Sequence, residues 1–125
     1  KPALLCSLAE MPHFVGATDL PVSIPFHTPF LISMLPEFAT LIDDLHLDQP
    51  TLPIISNVTA EVFDWAQWKQ ELIGHLVKPV QWHNSIQTAI RGGMDSVLNA
   101  GPGSLSSFLR EFPDIRQLHP NDLIC

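Results

Sequence analysis

The sequence predicts an α/β fold built around a largely parallel sheet. Short apolar segments typical of buried strands alternate with amphipathic helical patterns, in the order α-β-α-β-αα-β-α-β, without repeats or low-complexity tracts. The chain has 125 residues, of which 46% are hydrophobic, so there is room for one domain at most. Strands that alternate with helices pair in parallel and are covered on both faces.

Charge and cysteine usage exclude several classes of function. The chain has six Lys and Arg but thirteen Asp and Glu, which gives a formal net charge of −7. Because nucleic acids and anionic membranes bind basic surfaces, we expect neither as a partner. No apolar run is long enough to cross a bilayer. Cys6 and Cys125 form no disulfide framework, which favours a reducing, cytoplasmic location. The chain begins at Lys1 without a Met, and we expect it to be part of something larger.

The first three elements are a helix, a strand and a long helix. Residues 3–11 keep apolar side chains at helical spacing up to Pro12, and residues 20–24 predict a strand. Thr28 is a good N-cap and Pro29 a good first residue for the next helix. That helix carries one apolar stripe: Leu31, Met34, Leu35, Phe38, Leu41, Ile42 and Leu45.

The second half continues the alternation. Residues 52–57 form a short apolar segment that predicts a buried strand. Asp64 is placed to cap a helix, Pro79 to start another, and Gly92-Gly93 to end it. The remaining elements are a strand over 95–100, a turn over 101–103, a helix over 104–111 and a strand over 115–118.

His27 is the candidate catalytic residue by position. Reactive groups in open α/β sheets gather at the carboxyl ends of strands and at the helix N-termini that follow. His27 lies between the predicted strand and the N-cap of the best-defined helix, where it could act as a general base. The alternative is a surface histidine in a connecting loop.

No other catalytic or metal pattern stands out. The histidines lack HxH, HxxE and HExxH spacing, so no metal site is expected. A Gly-x-Ser-x-Gly nucleophile turn is absent, and Ser104 is better placed as a helix cap. The other histidines are interpreted as solvated residues near turns or as helix residues: His13, His46, His75, His83 and His119.

Four segments in order carry a family resemblance. They are Pro-Val-Ser-Ile-Pro-Phe-His-Thr over 21–28, Leu-Pro-Ile-Ile-Ser-Asn-Val-Thr over 52–59, His-Leu-Val-Lys-Pro-Val-Gln-Trp over 75–82 and Val-Leu-Asn-Ala-Gly-Pro-Gly over 97–103. Together they resemble the malonyl-CoA:acyl-carrier-protein transacylases, which include the acyltransferase domains of fatty acid and polyketide synthases. The resemblance covers only the C-terminal portion of that domain.

The resemblance implies a more detailed fold. The family combines an α/β-hydrolase-like large subdomain with a ferredoxin-like small one. By this resemblance, residues 1–25 correspond to the last helix and strand of the small subdomain, and residues 26–125 to the C-terminal part of the large one. Since the sheet would lack its N-terminal strands, we expect the missing part to be present as a second chain or as further sequence.

The resemblance also implies a mechanism. The family transfers malonyl from coenzyme A to the phosphopantetheine thiol of an acyl carrier protein by a ping-pong reaction, using a serine and a histidine but no bound cofactor. His27 matches that histidine, and His75 stands where the family supplies the backbone carbonyl that orients it. Phe26 matches an acyl-selecting position and resembles the malonyl-type pattern. The serine belongs to the N-terminal part, so this chain alone is expected to be inactive.

Two departures from the family leave alternatives open. The first is Asn99, which stands where many members have Glu. The second is the absence of three functional parts of the family: the serine turn, the loop that helps form the oxyanion hole, and the arginine that pairs with the malonyl carboxylate. Three arginines are present, and they match none of these parts: Arg91, Arg110 and Arg116. One alternative is a catalytically incomplete scaffold that docks a carrier protein. Another is an acyl-carrier hydrolase, in which water replaces the carrier thiol.

Overall fold

The computed structural model describes residues 10–12, 14, 22–100 and 105–118. Three α-helices lie in these ranges: α1 (Leu35–Asp43), α2 (Trp68–Val77) and α3 (Trp82–Arg91). Two strands are present, β1 (Ser96–Leu98) and β2 (Arg116–Leu118). Shorter 3-10 helices cover Pro29–Met34, Trp65–Gln67 and Leu105–Glu111. Within the described ranges, no helix is both long and apolar enough to span a membrane.

The parallel pairing predicted from the element order is confirmed in the sheet. β1 and β2 pair in parallel, with Ser96 opposite Arg116 and Leu98 opposite Leu118. The 3-10 helix Leu105–Glu111 lies between them in sequence and buries Leu109, as a crossover connection requires. The described chain is therefore α/β, with a two-stranded sheet.

The long helix begins at Pro29 with Thr28 as its N-cap residue, as predicted. Thr28 has the extended backbone of an N-cap residue, yet its hydroxyl makes no capping bond. It donates instead to the Pro25 carbonyl at 2.7 Å. The N-cap position of Thr28 is therefore confirmed, while its hydroxyl bonds to the preceding turn and makes no capping bond.

The apolar stripe of that helix is only partly covered. Leu31 and Ile42 are buried, whereas Leu41 is 60% exposed. α1 packs against α2, so only the side of the stripe that faces α2 is removed from water in the described chain.

The prediction of a buried strand over 52–57 is wrong within the described residues. Ile55 makes a single antiparallel bridge to Val62, and Leu52 is 75% exposed. The chain instead turns back on itself, and the Ala60 backbone N–H donates to the Ser56 carbonyl across the turn. A strand needs a neighbouring strand, and the bridge that this segment makes is to its own continuation at Val62.

The predictions near the N-terminus have mixed outcomes. Residues 22–24 lie outside any strand, so the described part of the strand predicted over 20–24 is wrong. The rest of that strand, most of the helix over 3–11, and the turn over 101–103 lie outside the described residues.

The helix ends in the second half follow local signals. The predicted cap at Asp64 is confirmed, since its carboxylate accepts from the Ala66 backbone N–H at 3.0 Å. α3 starts at Trp82 rather than at Pro79 because the Gln81 N–H bonds to the Asn57 carbonyl and keeps the preceding chain extended. Gly92 and Gly93 end α3 as predicted, and Gly93 takes a φ of 97°.

The Asp64 cap gives a direct stability prediction. Asp64→Ala removes the bond to Ala66 and the bond from Gln67 Nε2 to the carboxylate. We expect it to lower the free energy of unfolding by about 1 kcal/mol, measured by urea titration. Asp48→Ala, at an exposed loop residue, is the matched control and should change stability by less than about 0.5 kcal/mol. Equal effects of both substitutions would contradict the capping role.

Candidate active site

His27 is held in an uncommon backbone conformation at the tip of a turn. Its φ is 60°, in the left-handed region, where histidine is tolerated better than most side chains. Its backbone N–H donates to the Leu76 carbonyl at 3.0 Å. The last turn of α2 therefore anchors the turn that carries His27.

The His27 side chain is fixed by a second carbonyl from the same helix. Nδ1 of His27 lies 2.7 Å from the carbonyl oxygen of His75, a residue 48 positions later in the chain. A carbonyl can only accept, so the proton of this bond resides on Nδ1. In the neutral ring, Nε2 then carries the free lone pair. The structure thus brings together the two residues that the sequence marks for the site.

His75 also places its side chain against His27. The two imidazole rings are 4.6 Å apart between centroids, with their planes tilted by 36°. Nε2 of His75 is buried and has no hydrogen-bond partner among the residues described. Burial lowers the pKa of His75, as does the nearby His27, while Glu71 acts in the opposite direction.

Phe26 precedes His27 in the chain, and its ring lies beside the imidazole. Its ring centroid lies 6.4 Å from that of His27, and half of the residue is exposed. The aromatic ring is therefore available to contact a molecule that approaches His27.

A buried serine supports this site, and the sequence reasoning missed its role. Ser56 is 3% exposed and donates to a carboxylate oxygen of Glu71 at 2.6 Å. The same hydroxyl accepts from the backbone N–H groups of Val58 and Thr59. Ser56 thereby ties the 56–60 turn to α2, the helix that supplies both carbonyls to His27. The sequence signal for this role is the serine that directly follows the apolar residues 52–55, a position that the pattern assigns to the end of a predicted strand.

Ser56, Glu71 and His75 also line a common cavity. Its volume is about 140 Å³, and its remaining walls are mostly apolar. The polar face of this cavity lies between the 56–60 turn and α2. His75 therefore packs its ring against His27 and also lines a cavity together with Glu71 and Ser56.

The other candidates lie apart from this arrangement. The Arg91 guanidinium bonds to Thr88 within α3, and Arg110 and Arg116 are exposed. Asn99 follows β1 and is half-buried. No group of three or more potential metal ligands occurs in the chain as far as the structure describes it. Several sequence candidates lie outside the described residues: Cys6, His13, Ser104, His119 and Cys125.

The two other described histidines occupy exposed positions. His46 is exposed, as expected, and its Nδ1 lies 3.2 Å from the Asp44 carbonyl. His83 is exposed on α3 and pairs with Glu111 at 2.9 Å.

Comparison with known proteins gives consistent matches. No family profile matches the chain. The malonyl CoA-acyl carrier protein transacylase of Bacillus subtilis is 33% identical over 94 residues, which are 74% of this chain and 30% of that protein. A spectinabilin polyketide synthase system protein of Streptomyces orinoci is 28% identical over 95 residues, which cover 74% of this chain and 4% of that protein.

The solved structures agree with the sequence relatives. The crystal structure of malonyl-CoA:acyl carrier protein transacylase from Xanthomonas oryzae pv. oryzae aligns with a TM-score of 0.82 and 30% identity. The alignment covers 94% of this chain and 39% of that structure. The chain thus spans about a third of the length of the transacylases that it matches. In sequence and in fold, its relatives are malonyl-CoA:acyl-carrier-protein transacylases and polyketide synthase proteins, and the resemblance seen in its motifs is confirmed.

Proposed function

We propose that this chain is the C-terminal portion of a malonyl-type acyltransferase and supplies its general base. The observation that carries the proposal is the 2.7 Å contact between His27 Nδ1 and the His75 carbonyl. That contact fixes the tautomer of the ring and leaves Nε2 able to accept a proton. The Bacillus subtilis and Xanthomonas oryzae relatives support the reaction class, since both are malonyl-CoA:acyl carrier protein transacylases.

In the first half-reaction, His27 activates a serine. This serine is supplied by sequence outside the 125 residues, because the chain has no Gly-x-Ser-x-Gly turn. Nε2 takes the serine proton as the serine oxygen attacks the thioester carbonyl of malonyl-CoA. When the tetrahedral intermediate collapses, the C–S bond breaks and Nε2 returns the proton to the leaving coenzyme A thiolate. The product is a malonyl ester on the serine.

In the second half-reaction, the same nitrogen activates the acceptor. Nε2 removes the proton of the phosphopantetheine thiol of an acyl carrier protein, and the thiolate attacks the serine ester. The serine oxygen leaves and recovers the proton from Nε2. The enzyme returns to its starting state without a bound cofactor, since coenzyme A and phosphopantetheine enter only as parts of substrates.

The orienting group is a backbone carbonyl rather than a carboxylate. A carbonyl accepts the Nδ1 proton and holds the ring as an aspartate does in a serine protease triad, but carries no full charge. Because it belongs to the backbone of α2, it is independent of the side chain at position 75. The bond to Leu76 and the bond to His75 together set both the backbone and the ring of His27.

The proposal includes an assembly. Residues 26–125 form the C-terminal part of an α/β-hydrolase-like large subdomain, and residues 1–25 the end of a ferredoxin-like small one. The serine-bearing part completes the site and covers exposed apolar side chains near His27, such as Phe30, which is 84% exposed. The acyl carrier protein is the second partner, and the reaction takes place in the cytoplasm.

The test is reconstitution. The chain is combined with the serine-bearing segment, and malonyl transfer from malonyl-CoA to a holo-acyl carrier protein is followed by mass spectrometry of the carrier. We expect transfer by the assembly and none by this chain alone. Binding of the carrier without transfer by the assembly would support a docking scaffold. Release of free malonate in place of malonyl-carrier would support a hydrolase.

Phe26 gives a prediction on acyl selectivity. Its ring beside His27 leaves less room for an α-methyl group, so Phe26→Ser should admit methylmalonyl-CoA. We expect the ratio of kcat/KM for malonyl-CoA over methylmalonyl-CoA to fall by about tenfold, since one methyl group in an apolar pocket is worth about 1–3 kcal/mol. Phe108→Ser, at an exposed phenylalanine of the 3-10 helix Leu105–Glu111, is the control and should leave the ratio unchanged. An unaltered ratio in Phe26→Ser would remove Phe26 from the acyl pocket.

A further inference from the structure

The side chain of His75 faces the catalytic candidate in addition to the backbone carbonyl already described. The ring centroids of His27 and His75 are 4.6 Å apart, close enough for each ring to restrict the other. A backbone carbonyl requires no particular side chain, so the imidazole at this position is a separate feature of the chain. This imidazole can influence the orientation of the His27 ring and the pH range in which His27 acts as a base.

The surroundings of His75 favour an uncharged ring. Its Nε2 is buried without a hydrogen-bond partner among the described residues. An imidazolium has two N–H donors, and one of them would be left without an acceptor at this position. A positive charge on His75 would also lie against the His27 ring. Burial and His27 both lower the pKa of His75, in agreement with this geometry.

The titratable and charged groups around His75 come from several elements. Glu71, on α2 itself, favours the charged form of His75, but its carboxylate is engaged by the Ser56 hydroxyl. Lys69 on α2 pairs with Asp43 of α1 near the opposite end of the helix. Further charged groups on or near these elements are exposed: Glu37, Asp64 and Lys78.

We propose that the His75 imidazole is a positioning residue for His27: in its neutral form it packs against the His27 ring and keeps it aligned, and its protonation displaces that ring. This inference rests on the proposed function and deepens it. Acid pH then stops the reaction by two protonations, one that consumes the lone pair of His27 and one that charges His75.

The expected result is a steeper acid limb than a single base would give. In the reconstituted acyltransferase, log(kcat/KM) should fall toward acid pH with a limiting slope of about two, because both rings must be neutral in the free enzyme. In His75→Gln the backbone carbonyl remains while the titrating ring is gone, so the slope should become about one. At pH 8 this variant should lose about tenfold in kcat/KM through poorer alignment.

The design separates this inference from acid unfolding. The fold lowers the pKa of His75, so the unfolded chain binds a proton at this residue more readily than the native state does. The native state therefore loses stability as the pH falls through the pKa that this histidine has in the unfolded chain. Rates are therefore taken within seconds of a jump from pH 8, and intrinsic fluorescence reports whether the enzyme is still folded. His75→Asn is a second variant in case glutamine disturbs packing. His83→Gln, at an exposed histidine on α3, is the control and should keep the slope of the parent.

The outcomes distinguish the two proposals. A slope of about one in the folded parent, or an unchanged slope in both His75 variants, would overturn the positioning role. If His27→Ala is nevertheless inactive, the proposed function still stands. If His27→Ala keeps full activity, the proposed function fails, whatever the slopes are.

Discussion

His27→Ala is expected to lower kcat/KM for malonyl transfer by about 10³- to 10⁴-fold in the reconstituted acyltransferase. The reason is that Nε2 of His27 handles the proton in both half-reactions, and alanine has no group that can replace it. The His75 carbonyl would then lose its Nδ1–H partner without gaining any chemical role. The measurement is steady-state kinetics at pH 8 with malonyl-CoA and holo-acyl carrier protein.

His46→Ala is the matched control for this prediction. His46 is exposed, and its Nδ1 also lies near a backbone carbonyl, that of Asp44 at 3.2 Å. Its replacement should leave kcat/KM within about twofold of the parent, because surface substitutions away from a site have small effects. Binding of the carrier protein should persist in both variants. A His27→Ala enzyme with more than a tenth of the parent activity would exclude His27 as the base.

Ser56→Ala is expected to produce the largest loss of stability among single substitutions at the described polar residues of the site. The hydroxyl of Ser56 donates to Glu71 and accepts from two backbone N–H groups, all in a buried position. Alanine would leave the Glu71 carboxylate and the turn without these bonds. We expect the free energy of unfolding to fall by about 2–3 kcal/mol, measured by urea titration.

Ser33→Ala provides the comparison for Ser56. Ser33 is exposed in the 3-10 helix Pro29–Met34, and its replacement should change the free energy of unfolding by less than about 0.5 kcal/mol. Ser56→Thr keeps the hydroxyl and should recover part of the stability if the added methyl group is accommodated. A loss below about 0.5 kcal/mol in Ser56→Ala would show that the hydroxyl does not hold the turn to α2.

Local signals predicted most helix ends, because each depends on a few neighbouring residues; the start of α3, which lies at Trp82 rather than at Pro79, is the exception. Pro29 begins a helix, Asp64 caps one, and Gly92-Gly93 ends one, as the sequence indicates. The parallel pairing of β1 with β2 also followed, since a helical segment separates them. These features need only propensity, capping and connection rules.

Features that depend on distant partners were predicted less well. The apolar segment over 52–57 looked like a buried strand, but its pairing depends on a neighbouring strand that the segment itself cannot specify. The bond from Ser56 to Glu71 joins a turn to a helix across 15 positions in the chain, and no short sequence motif predicts such a bond. Thr28 occupies the N-cap position as predicted, but its hydroxyl donates to the Pro25 carbonyl and makes no capping bond.

Residue types and spacing predict the candidate site only in part. The position of His27 before a strong helix marks it as a candidate, but that position alone favours a surface histidine in a connecting loop. The pairing with His75 came from the family resemblance, since 48 residues separate the two. The packing of the two rings and the orphaned Nε2 of His75 required the three-dimensional structure.

The most direct test of the account is denaturing intact-mass analysis of the reconstituted enzyme after a brief exposure to malonyl-CoA, with and without His27→Ala. The account predicts a malonyl adduct on the serine-bearing segment, none on this chain, and a rate of adduct formation about 10³-fold lower in the variant. An adduct that forms at the parent rate in His27→Ala, or that appears on this chain, would contradict the claim that His27 activates a serine supplied from outside these 125 residues.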